Sequence, residues 1–154
     1  MPGTTVKRTR RSARRLALDV LYEAEIRDRL PLEAYEARCS EGWVHAASDD
    51  VAVTDPSAEA LAYARDLVEG VQAHRADIDE LIARYADRWE LQRMPIVDRN
   101  LLRIGLFELL WGADVPVAVA INEAVELAKA MSTDDSGRFI NGLLGRIVED
   151  RSAR

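Results

Sequence analysis

Apolar residues recur along this chain at helical spacing from near its start almost to its end. Ala13, Leu16, Ala17, Val20, Leu21 and Ala24 follow the i, i+3, i+4, i+7 rule and mark one buried stripe. Pro31 marks a break or a new helix start, and Leu32 to about Arg38 suits a short helix. Residues 41–55 mix Gly, Ser and Asp with scattered small apolar residues and form the least regular stretch. Asp55-Pro56-Ser57 reads as a helix start, with Asp55 as N-cap and Pro56 in the first turn. Behind it Leu61, Ala64, Val68 and Val71 keep one face apolar, and Ile78, Leu81, Ile82 and Tyr85 make the next stripe.

Met94-Pro95 interrupts again, with Trp89 and Leu91 expected to pack beneath the turn. Residues 96–111 carry large apolar side chains on more than one face, which predicts a central helix. Gly105 inside it costs about 1 kcal/mol relative to Ala, so a close helix crossing is expected there. Gly112 and Pro116 end one helix and start another, whose stripe is Ile121, Ala124, Val125 and Ala128. Thr133-Asp134-Asp135-Ser136 supplies candidate caps for a last helix, with Phe139, Ile140, Leu143, Leu144, Ile147 and Val148 inward. No alternating strand pattern, internal repeat or low-complexity segment interrupts this reading. It predicts an all-α fold, a compact bundle of six or seven helices.

Length and composition are compatible with that bundle. A chain of 154 residues fits one domain over 1–154, or two small subdomains sharing a core. Hydrophobic residues make up 48%, ample for an interior, and charged residues 31%, enough for a solvated surface. No apolar run approaches the roughly 18–20 residues that a membrane span needs. The N-terminus is basic but lacks the apolar core of a secretory signal. It could resemble an organellar targeting peptide, but it runs straight into a helix with a continuous core face, which argues against removal. Cys39 is the lone cysteine, so an intramolecular disulfide and a cysteine zinc cluster are both excluded, and a reducing cytoplasm is the expected location.

Charge changes the picture more. The net charge is −6, yet an arm over residues 1–15 holds Lys7, Arg8, Arg10, Arg11, Arg14 and Arg15, and no acid precedes Asp19. Six of the 21 basic residues lie there; the other 15 stand against all 27 acids, which leaves the rest of the chain near −12. An acidic globule with its positive charge gathered at one end is built to meet a polyanion. At about 100° per residue, the core stripe of the first helix centres near Val20 and Ala24. Arg11, Arg15, Leu18 and Tyr22 then form a second stripe nearly opposite it, with Arg10 and Arg14 on the flank. The arginines can grip phosphates through paired charged hydrogen bonds or stack on bases. Leu18 and Tyr22 would give that outer face an apolar patch, unless they pack on another helix of the bundle. Charge density alone does not choose among RNA, DNA and anionic lipid.

Catalytic patterns are missing. His45 and His74 stand in no spacing with Cys, Asp or Glu that suggests a metal site and read as loop or helix-end histidines. No nucleophile elbow, P-loop or dinucleotide glycine pattern occurs. Glu123 and Glu126 sit one turn apart but read as surface charges, with Glu126–Lys129 as an ordinary pair. The expectation is a non-enzyme without cofactor or metal.

Four segments, in order, carry a resemblance. They are Arg14-Arg15-Leu16-Ala17-Leu18-Asp19-Val20-Leu21-Tyr22-Glu23, then residues 98–109 (DRNLLRIGLFEL), then Asp114-Val115-Pro116 through Ile121-Asn122-Glu123-Ala124-Val125-Glu126-Leu127-Ala128-Lys129, and finally Phe139-Ile140-Asn141-Gly142-Leu143-Leu144. Together they resemble the NusB family of bacterial transcription antitermination factors, from the arm to the last helix. Residues 33–55 carry no signature. The resemblance implies two perpendicular three-helix subdomains. It also implies binding to the boxA element of ribosomal RNA leader transcripts together with NusE, which is also a small-subunit ribosomal protein. That complex joins an RNA polymerase assembly that suppresses termination and aids ribosomal RNA maturation.

The resemblance places Arg10, Arg11 and Arg14 first on the RNA surface, with Lys7, Arg8 and Arg15 in support. Asp135 and Phe139 match family positions near RNA, and Arg138 sits beside them. On physical grounds Arg138 suits a phosphate and the helix N-terminus attracts anions. Asp135 would repel RNA and is more simply an N-cap, although it could accept a hydrogen bond from a base edge. Phe139 fits either a core position or a base stack. Tyr22 and Asp98 match positions that face NusE, and Leu18 joins them by helix geometry; Asp98 could equally cap the central helix. An exposed apolar stripe suits either NusE or a homodimer. Two rivals stand beside this reading. One is the N-terminal region of a ribosomal RNA cytosine methyltransferase, which would continue into a methyl-donor-binding domain. The other is a non-catalytic helical module whose basic arm touches membrane or DNA.

Overall fold

The helical periodicity resolves into seven α-helices and one short 3-10 turn, with no strand among the described residues. The computed structural model describes residues 2–43, 56–87, 89–112 and 114–152. In chain order the helices are α1 (Pro2–Ile26), α2 (Pro31–Glu41), α3 (Ala58–Ala73), α4 (Arg75–Tyr85), α5 (Ile96–Trp111), α6 (Val117–Met131) and α7 (Asp134–Ser152), with the 3-10 turn at Leu91–Arg93. Pro31 opens α2, while Pro95 and Pro116 immediately precede α5 and α6. At those positions a missing N–H breaks no intrahelical bond.

Hydroxyls, not carboxylates, cap α3 and α7. Ser57 Oγ accepts the Ala60 N–H at 3.1 Å and closes the start of α3; the expected cap Asp55 lies outside the described residues. At α7, Thr133 Oγ1 accepts the Ser136 N–H at 3.0 Å. Asp135 is therefore not the cap. It lies inside the first turn, two residues past the Thr133 cap position and too far along to serve the amides that a cap serves. Asp98 is not a cap either, because α5 begins two residues earlier, at Ile96.

The chain divides into two units, Met1–Glu69 and Gly70–Arg154. In the first, the predicted stripe of α1 is buried throughout, and α2 adds Ala34 and Tyr35. Arg38 Nε donates to the Glu23 carboxylate at 2.6 Å, tying α2 to α1. The Tyr35 hydroxyl donates to the Leu61 carbonyl at 3.0 Å, tying α2 to α3. Burial, with neighbouring Cys39 adding to it, pushes the Tyr35 phenol up to about 12 from 10.0. The fold thus favours the neutral phenol, so its contribution is complete below pH 10 and is lost as pH rises toward 12. Unfolding midpoints measured from pH 9 to 12 should fall across that window, and Tyr35→Phe should remove a shift worth about 3 kcal/mol at most.

The second unit is built around α5. Leu101, Leu102, Ile104 and Leu106 are buried on several faces, as the sequence predicts. A Cβ on Gly105 would lie 3.1 Å from Leu144 Cδ1 and 3.6 Å from Ala124 Cβ, so the expected close crossing brings α5 against α6 and α7. Within this unit, a Cβ on Gly70, in the last turn of α3, would clash with the Phe107 ring. His74 sits at the junction of α3 and α4, a helix-end histidine, and stacks on Trp111 at 3.9 Å. Trp89 does not tuck beneath its turn. It is 38% exposed and lies edge-on to Phe139, with ring centroids 4.8 Å apart.

α5 also buries polar groups. Arg103 donates through Nε and Nη2 to the two Asp79 carboxylate oxygens at 2.9 and 3.1 Å, and through Nη1 to Asn100 Oδ1 at 3.0 Å. Arg75 Nε reaches the same carboxylate at 3.1 Å. Glu126 pairs with Lys129 at 3.7 Å as expected. Glu123 is buried, not a surface charge, because it faces inward one turn from Ala120 and Leu127.

Candidate nucleic-acid interface

The basic arm is helix. Residues 2–15 form the leading turns of the 25-residue α1, which sorts its cations by face. Lys7, Arg8 and Arg11 are exposed, whereas Arg10 and Arg15 are half-buried. Arg15 pairs with Asp19 at 3.8 Å, and its Nε is buried without a hydrogen-bond partner. Arg14 is only 2% exposed, so it is not the open phosphate ligand that its place in the run suggests. The reason is spacing. Arg10 and Arg14, four residues apart, share the side of α1 that meets α3, and their guanidinium carbons lie 5.1 and 5.9 Å from the centre of the Tyr63 ring. A cation over an aromatic face recovers part of the hydration it gives up. Tyr63 is a member of this site that sequence reading missed, because helical spacing does not say which α3 residue α1 meets.

The outer apolar stripe is shorter than expected. Leu18 is 2% exposed and belongs to the interior, so it is no part of an open partner surface. Tyr22 is 43% exposed, and Ile26, one turn further on, is exposed too. The stripe rule treated Leu18 and Tyr22 alike, but α1 is covered on more than one side only up to Leu21, and Tyr22 lies past that cover.

The second-unit residues fall in the first two turns of α7 and, for Asp98, in the first turn of α5. Asp98 is fully buried and is not an open contact for a partner. Its Oδ2 accepts the Ser136 hydroxyl at 2.7 Å, which ties α5 to α7. Its other oxygen, Oδ1, is buried without a hydrogen-bond partner. Asp135 and Arg138 are exposed and form an ion pair with each other. Phe139 is half-buried against Trp89. His45 lies outside the described residues. Among the described residues no helix is long and apolar enough to cross a membrane, and no group of three His, Cys, Asp or Glu could hold a metal ion. At these two places the exposed charged side chains are Lys7, Arg8, Arg11 and Arg138 with the acid Asp135, beside the half-buried Phe139 ring.

The family model described as NusB family matches residues 11–149. Transcription antitermination protein NusB of Salinispora arenicola is 54% identical over 140 residues, covering 91% of this chain and 95% of the relative. Among solved structures, T. maritima NusB is similar with a TM-score of 0.76 at 35% identity, covering 91% of this chain and 90% of that one. A structure of antitermination factors NusB and NusE in complex with dsRNA is similar with a TM-score of 0.74 at 27% identity, covering 93% and 98%.

Proposed function

The chain belongs to the NusB family of non-catalytic transcription antitermination factors, and we propose that it binds the boxA element of ribosomal RNA leader transcripts together with NusE, within an RNA polymerase assembly. The observation that carries this reading is the exposed set Lys7, Arg8 and Arg11 on a rigid helix of an otherwise acidic chain. A helix that holds cations at fixed intervals meets successive phosphates without first ordering a flexible tail. Arg10 assists from the flank. Arg138 and Phe139 form a second contact, in which Arg138 exchanges its Asp135 partner for a phosphate and Asp135 becomes free to accept from a base. Support for NusE comes from the related NusB–NusE complex with dsRNA. The antitermination relative is matched over 95% of its length, which favours this role over a methyltransferase region.

The test is direct titration of the protein with boxA RNA, scrambled RNA of the same length, and anionic vesicles. Preference for boxA is the expected result, with binding that weakens with salt at a log–log slope of about −0.7 per phosphate neutralised. Equal affinity for all three ligands overturns the reading. The exposed Tyr22 and Ile26 are the proposed NusE contact. Tyr22→Ala should weaken NusE binding about tenfold, in the range of an interface anchor, while RNA affinity of the free protein changes less. Isothermal titration with each ligand checks this ranking, and the reverse ranking assigns Tyr22 to RNA instead.

A further inference from the structure

We infer that Tyr63 is a positioning residue for RNA binding: its ring, under both Arg10 and Arg14, sets the Arg10 guanidinium for a phosphate before RNA arrives. The inference rests on the RNA-binding reading above. Like charges four residues apart on a helix repel, and an arginine on an exposed helix end ordinarily samples many rotamers. Here both guanidinium carbons lie over one phenol ring, at 5.1 and 5.9 Å. An apolar pair at positions 10 and 14 would pack α1 on α3 without placing two cations there. The two arginines also differ in access. Arg14 is buried, whereas Arg10 is half-buried and keeps part of its surface accessible. A guanidinium held over an aromatic face samples fewer rotamers, and its planar fork of donors matches the two oxygens of a phosphate. Rotamer freedom removed in the free protein is not lost again on binding.

The full chain, titrated with boxA RNA at two salt concentrations, tests this with Tyr63→Phe, Tyr63→Leu, Arg10→Ala and the double variant Tyr63→Leu/Arg10→Ala. Circular dichroism and melting follow the fold of each. Phe keeps the ring face and should bind within about twofold of the parent chain, whereas Leu should bind about five- to tenfold more weakly. Arg10→Ala should also weaken binding about tenfold, and the double variant should be no weaker than Arg10→Ala alone. A purely structural tyrosine would give losses that multiply in the double variant, and that result overturns the inference, as does Leu binding like the parent. Should Tyr63→Leu fail to fold, Tyr63→Trp takes its place: it preserves the cation–aromatic contact and should retain affinity, and a loss there equal to that of Arg10→Ala overturns the inference. Arg11→Ala separates the two levels of the argument. If it weakens boxA binding while Tyr63 shows no coupling to Arg10, the positioning role alone fails. If neither arginine matters and boxA is not preferred to scrambled RNA, the RNA-binding reading itself fails.

Discussion

Asp79→Ala should lower stability by about 3 kcal/mol, the cost of leaving a buried cation without its carboxylate. The guanidinium of Arg103 is 3% exposed and meets both oxygens of Asp79. Arg103 also donates to Asn100 Oδ1, a neutral acceptor that carries no compensating charge. The same carboxylate also holds Arg75, so the substitution leaves two cations facing each other at the α4–α5 contact. Removing the charge from both sides has a different expected outcome. Asp79→Ala combined with Arg103→Met should recover most of the loss, because an apolar pair avoids the desolvation cost that the ion pair only offsets. Urea unfolding followed by circular dichroism measures both. A single variant within about 0.5 kcal/mol of the parent chain would show that the pair contributes no more than an exposed one.

That network also marks the boundary of what the sequence reveals. Helix periodicity depends on residues three and four apart; it placed the stripe of α1 and most of that of α7, whereas in α6 Ala124 and Ala128 are buried but Ile121 and Val125 only half-buried. The reading of Gly105 as a close crossing succeeded because a glycine inside a strong helix has few other uses. Failures came where the decisive partner is far along the chain. Asp98 reads as an exposed acid at the start of a helix until Ser136, 38 residues on, donates to it. Asp79 gives no signal in helical spacing, because its partner Arg103 lies 24 residues on. Arg14 reads as one more cation in a run until α3 brings Tyr63 beneath it. Leu18 and Tyr22 carry the same signature, and only the covering of α1 separates the buried one from the exposed one. The cations of the arm were visible as a charge count; which of them face solvent was not.

That sorting decides which arm variant tests RNA binding cleanly. Replacing Lys7, Arg8 and Arg11 together with Ala should leave helix content and melting temperature unchanged, since all three side chains are exposed. RNA affinity at moderate salt should fall about 30- to 100-fold, and the log–log salt slope should shrink by about 2, as three lost phosphate contacts require. A variant that includes Arg14 confounds the two effects. Arg14 is buried against Tyr63, so Arg14→Ala removes packing as well as charge and should lower the melting temperature by itself. The salt slope distinguishes a phosphate contact from a remote effect on the fold. If affinity falls in the triple variant while the slope stays at the parent value, the three cations act on the conformation of the binding site and not on the RNA backbone. If neither changes, the exposed side of α1 does not touch RNA, and the contact moves to Arg138 and Phe139 on α7.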